Sequence, residues 1–167
     1  NITAYWRGYK EYFDHRQISS KPRMLGFQAE GAAPIVRKKI ILKPKTIATA
    51  IKIGNPASWK KAEAARDESG GRIEMVSDKE ILRAYRLLAK KDGIFVEPAS
   101  AASVAGILKL HERKFFKQEK KSFKRDLSVV CILTGHGLKD PDRALSSVRK
   151  PKSAAASVKE ILKIIKL

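Results

Sequence analysis

The chain has a single cysteine, Cys131, so a disulfide framework is excluded. It lies inside the apolar run VVCIL, where a small buried thiol is the plainest expectation. No apolar run approaches the ~20 residues that cross a bilayer, which removes a membrane-spanning role. A signal-peptide pattern is absent, which points to a cytoplasmic home. The chain opens on Asn1 rather than methionine, so residues upstream are expected. Histidine is scarce too. His15, His111 and His136 are far apart in sequence, and no metal constellation is visible. Acidic residues are outnumbered, 17 against 36 Lys plus Arg, which leaves a formal charge of +19. Such a surplus predicts anionic partners. The basic residues are nevertheless scattered through RKK (37–39), KK (60–61), KK (90–91), KFFKQEKKSFKR (114–125) and RKPK (149–152). No helix-turn-helix, zinc finger, RNP aromatic pair or GXXG loop accompanies them, so no specific nucleic-acid partner is expected.

What is present is globular: 167 residues, 43% hydrophobic, enough for one medium domain with a real core. NITAYWRGYKEYFDHR carries apolar residues at 2, 5, 6, 9, 12 and 13, the spacing of an amphipathic helix. RMLGFQA (23–29) reads as a short strand. ATAIKI (48–53) meets the turn signal GNP, and a helix follows with Ser58 as N-cap and Gly70-Gly71 as its stop. RIEMV (72–76) reads as a strand. SDKEILRAYRLLAKKDG carries Ser77 or Asp78 as N-cap and Gly93 as breaker. IFVE (94–97) reads as a strand, and PASAASVAGILKLHERKFF begins with proline at a favoured helix position and continues with small residues that permit close packing. KQEKKSFKRD reads as a charged connector, LSVVCILT (127–134) as a nearly continuous apolar strand, and SAAASVKEILKIIKL as a C-terminal helix.

Apolar strands separated by helices of ten or more residues signal an α/β fold: a three-layer, open, mainly parallel sheet with helices on both faces. Ligands of such sheets bind beyond the carboxyl ends of the strands, often against helix N-termini. Three strand ends stand out: FQAEGAAP, IFVEPASAAS, and VVCILTGHG with its hydroxyl in an apolar setting. Each fits a packing feature as well as the lining of a shared cleft.

ATAIKIGNPASW, GIFVEPASAASVAG and LTGHGLKDPD resemble the threonine synthases, pyridoxal-phosphate enzymes of fold type II, and NITAYWRGY fits the same family. The resemblance runs from residue 1 to about residue 145. It implies pyridoxal 5'-phosphate as cofactor, with Thr134 facing the pyridine nitrogen through a neutral hydroxyl, which leaves the ring less electron-withdrawing than a carboxylate would. By the same resemblance Asn1 ends a glycine-rich phosphate loop, Ala50 sits against a ring face, and Glu97 lies near the ring edge. Ala50 reads equally as plain packing, and Glu97 as a helix N-terminal charge. His136 is read as structural rather than catalytic.

The resemblance also implies that residues 1–150 are the carboxyl-terminal portion of the catalytic domain, with 151–167 as a C-terminal helix. The Schiff-base lysine and the residues that grip the substrate's phosphate would then lie upstream, so no catalytic residue is assigned here. The implied partners are O-phospho-L-homoserine, a missing amino-terminal half, and a second copy in a homodimer. The implied reaction converts O-phospho-L-homoserine and water to L-threonine and phosphate, and the chain alone is expected to be inactive. Alternatives are a related enzyme such as a threonine dehydratase, and a basic nucleic-acid-binding module on an enzyme scaffold.

Overall fold

Two strands, β1 (Leu25–Ala29) and β2 (Arg72–Val76), pair in parallel with Leu25 opposite Arg72 and Ala29 opposite Val76. A computed structural model describes residues 1–123, 126–148 and 153–165. Ahead of β1 runs α1 (Ile2–Asp14). Between the strands lie α2 (Pro34–Arg37), a 3-10 turn at Thr49–Ile51, and α3 (Trp59–Glu68). After β2 come α4 (Asp78–Leu87), α5 (Pro98–Glu112), α6 (Phe115–Phe123), α7 (Pro141–Ser147) and α8 (Val158–Ile165).

Neighbouring residues of a strand point to opposite faces, so β1 shows what covers each side. A Cβ at Gly26 would lie 3.3 Å from the Ile2 side chain of α1, whereas the ring of the next residue, Phe27, lies against Gly106 of α5. Helices therefore cover both faces, as the alternation of elements predicts. The core joins Val76, Ile81, Ala84, Tyr85, Val96, Ala101, Ala102 and Ala105. The small residues of α5 let it lie close to both α4 and the sheet. Gly106 is the closest point, because a Cβ there would enter the Phe27 ring.

The helix ends follow their sequence signals. Ser77 caps α4 by accepting from the Glu80 N–H at 3.2 Å, while Glu80 accepts from the Ser77 N–H at 2.7 Å, a capping box. A π-turn at Leu88–Asp92 extends α4 until Gly93, at φ 67°, stops it. Ser58 begins α3, though its side chain makes no cap hydrogen bond, and Gly70 follows its end at φ 62°.

Two expected strands do not form. Among the described residues IFVE contributes only an isolated antiparallel bridge, Val96 with His136, which lies just beyond LSVVCILT. Residues 126–134 run without a ladder partner among the described residues, and Val129, Val130 and Ile132 are exposed. Cys131 is half-buried rather than enclosed. An apolar run encodes a demand for burial, not which neighbour meets it. The expected connector KQEKKSFKRD is largely α6. The helix that begins at Pro98 ends at Glu112, Lys114 takes a left-handed turn at φ 61°, and a new helix starts at Phe115. Arg23 pairs with Glu119, and Arg72 lies 5.0 Å from the Phe115 ring, so β-strand flanks hold α6. The expected C-terminal helix occupies 158–165, preceded by non-helical residues 153–157. RKPK (149–152) and Lys124-Arg125 lie outside the described residues.

Gly106→Ala is expected to destabilise the chain by about 1–3 kcal/mol, because the Phe27 ring must be displaced. A lower urea midpoint with unchanged slope would show it. Glu80 supplies a second test. Burial acts to raise its pKa, but hydrogen bonds from the Ser77 N–H and hydroxyl and from Lys109 outweigh it, and the carboxyl sits below its ordinary 4.5. A depressed carboxylate contributes stability above its unfolded pKa and loses it as pH falls through the folded value. Acidification below 4.5 should thus cost the native chain more stability than the Glu80→Gln variant, measured by denaturation at a series of pH values.

Candidate active site

An open cleft of about 1160 Å³ lies between α1, β1, the Thr49–Ile51 turn, the start of α5 and residues 126–134. Asn1, Ala50, Glu97 and Thr134 all line it, so the structure brings together four positions far apart in sequence.

Asn1 is the N-cap of α1, yet its side chain makes no capping hydrogen bond. The Ile2 and Thr3 N–H groups have no acceptor within the helix by its geometry, and they adjoin the cleft at the positive end of the helix dipole. An anion is favoured at such a place.

Ala50 is exposed in the Thr49–Ile51 turn. Asp78, the first residue of α4, holds the approach to that turn. Its carboxylate accepts from the Thr46 hydroxyl at 2.5 Å and the Ile47 N–H at 3.1 Å, and the Thr46 oxygen accepts from the Ala48 N–H at 3.1 Å. The sequence marked Asp78 only as a cap candidate. Its work across to residues 46–48 is tertiary.

Glu97 is the N-cap of α5 and only 5% exposed. Lys139 Nζ stands 3.3 Å from both carboxylate oxygens, offsetting the burial of a charge. Thr134 is exposed and lines the cleft, although the run before it is apolar. The segment that follows it docks antiparallel on residues 95–97. The Glu97 N–H donates to the Gly135 carbonyl at 2.9 Å, and the Gly137 N–H to the Phe95 carbonyl at 3.2 Å. Gly135 and Gly137 are needed for this approach, because a Cβ would strike the Glu97 carboxylate at one and the Phe95 ring at the other.

His136 serves the same turn. Its Nδ1 accepts from the Leu138 N–H at 3.2 Å, and its ring meets Phe95 edge-on with centroids 5.5 Å apart. This is the structural role the sequence suggested. Burial raises the pKa of Cys131, which favours the thiol over the nucleophilic thiolate. Among the described residues that line the cleft the one lysine is Lys21, and its ammonium lies 4.5 Å from the Phe13 ring and 5.8 Å from that of Trp6. No group of metal-ligating side chains occurs among the described residues, and no helix among them is long and apolar enough to cross a membrane.

A two-stranded parallel core covered on both faces, with a helix N-terminus, a buried glutamate and a threonine hydroxyl sharing one cleft, makes an α/β fold with an open cleft beside its sheet. Residues 1–135 match the model of the family described as pyridoxal-phosphate dependent enzymes, and the chain belongs to that family. Pyridoxal phosphate is the cofactor of its members. The chain is 53% identical over 148 residues to the threonine synthase of Halalkalibacterium halodurans, covering 89% of this chain and 40% of that protein. It is 55% identical over 147 residues to the threonine synthase of a Bacillus species, covering 88% and 40%. With the threonine synthase of Methanocaldococcus jannaschii it shares 47% over 174 residues, covering 99% and 41%. The chain thus spans about two fifths of the length of these relatives. Its fold resembles that of maize serine racemase with a TM-score of 0.56 at 21% identity, over 79% of this chain and 41% of that one.

Gly135→Ala should force the Thr134 loop away from Glu97 and destabilise the chain by about 1–3 kcal/mol. Thermal denaturation beside the unaltered chain would measure it.

Proposed function

We propose that the chain is the carboxyl-terminal part of a threonine synthase and forms one wall of its active site. The carrying observation is the convergence of Asn1, Ala50, Glu97 and Thr134 on one cleft, in a chain about half identical to threonine synthases. That identity favours this reading over a related dehydratase.

The residues present fit pyridoxal phosphate. The α1 terminus at Asn1, left uncapped by its side chain, suits the phosphate. Ala50 is small enough to lie against a ring face. The Thr134 hydroxyl, exposed in the cleft, can hydrogen-bond the ring nitrogen without bringing a charge, and Glu97 at the start of α5 holds the next residue, Gly135. When bound, the cofactor supplies an electron sink for charge that develops on substrate carbon. The work of this chain is to orient and hold: the helix terminus retains the anion, and Thr134 sets the ring's polarity. The overall conversion is O-phospho-L-homoserine plus water to L-threonine plus phosphate, a lyase reaction.

The remainder of the enzyme, upstream in the same polypeptide or in a second one, supplies the reactive lysine and the substrate's phosphate grip. Two features support this. Lys21 is occupied by aromatic faces, and the apolar wall formed by Val129, Val130 and Ile132 is exposed in this chain. Assembly as a homodimer in the cytoplasm completes the proposal.

The isolated 167-residue chain should release no phosphate from O-phospho-L-homoserine, and sustained release in a phosphate assay would overturn the division of labour. In the complete enzyme, Thr134→Val should weaken cofactor binding and Thr134→Asp should shift the absorption of the bound cofactor. An unaltered spectrum in both would remove Thr134 from the site.

A further inference from the structure

Ser100 occupies the third position of α5 and is only 3% exposed. Its hydroxyl does not serve its own helix. Its oxygen accepts from the Gly135 N–H at 2.7 Å, and its proton is directed to the Gly135 carbonyl at 3.3 Å. One side chain thereby satisfies both polar groups of a single residue across 35 positions of sequence. The Gly135 carbonyl also accepts from the Glu97 N–H. Residues 126–134 find no strand partner among the described residues, so these contacts, together with the Ser103 hydroxyl donating to the Ile132 carbonyl at 3.5 Å and Leu133 packed on the core, tie the end of that segment to the helix layer. Thr134 is the residue immediately before the tie.

We propose that Ser100 is a positioning residue for Thr134, holding the 134–135 peptide so that the threonine hydroxyl is presented to the cofactor. The cofactor part of this rests on the threonine synthase reading; the hold on Gly135 does not. A hydroxyl is suited to the task because it donates and accepts at once, and alanine would leave a buried N–H without its acceptor.

The test has two parts. In the 167-residue chain, Ser100→Ala should speed amide hydrogen exchange at Gly135 by about tenfold or more while the amide of Ile81, in the core of α4, keeps its protection. In the holoenzyme, Ser100→Ala should raise the dissociation constant for pyridoxal phosphate by about tenfold, yet add less than about twofold on a Thr134→Val background, because both changes remove the same interaction. Unchanged exchange at Gly135 would overturn the proposal, as would equal losses of affinity in both backgrounds. If Thr134→Val itself leaves cofactor affinity unaltered, the cofactor reading fails, and the Gly135 exchange rate still decides whether Ser100 sets the loop. Should Ser100→Ala not fold, Ser100→Cys keeps the volume with a weaker hydrogen-bonding group and is judged by the same exchange rate.

Discussion

The close approach of α5 to β1 and α4 is the constraint on which the other parts depend. Ala101, Ala102, Ala105 and Gly106 remove side-chain bulk along one helix, which lets Phe27 lie on Gly106 and brings Ile81 and Ala84 of α4 into the same core. Interiors pack at the density of organic crystals, so a helix seated this deeply has little freedom to shift. The same helix begins at Glu97 and carries Ser100 one turn in. The packing of its middle therefore sets where its first turn stands, and that turn is half of the proposed site. Charged pairs between helices, such as Arg83 with Glu112, are exposed and add little to this.

Polar contacts across loops then convert a rigid helix into a shaped cleft. Asp78 holds residues 46–48 and so the turn that carries Ala50; Ser100 and Glu97 hold Gly135 and so Thr134. Both loops are thus anchored at the starts of helices, where N–H groups and short polar side chains are available. Lys139 returns from the same loop to neutralise Glu97, so the buried carboxylate and the segment that needs it are brought together by one turn of chain. The site is built from irregular segments fastened to regular ones, as binding sites commonly are.

Much of this was legible in the order of residues. Ser77 with Glu80, Gly93, Gly70 and the amphipathic spacing of α1 are local signals, and helix ends obey local rules because the groups they satisfy lie within one turn. The four cleft positions were reached by resemblance to threonine synthases, and the structure places them together. Ser100 and Lys139 were not singled out, although both sit inside quoted motifs. Their partners are 35 and 42 residues away, and no spacing rule reaches that far.

By itself the sequence determined that the chain folds as helices alternating with short strands, where most of its helices start and stop, and which enzyme family it belongs to. Those properties depend on neighbours along the chain and on motifs that survive as strings of letters. Only the tertiary structure decided that VVCILT runs largely exposed beside a cleft rather than inside a sheet, that residues 117–123 of the expected connector are helix, and that Thr134 is exposed. Hydrophobicity states how much surface a segment must bury, while the partner that buries it is chosen by the packing of the whole chain.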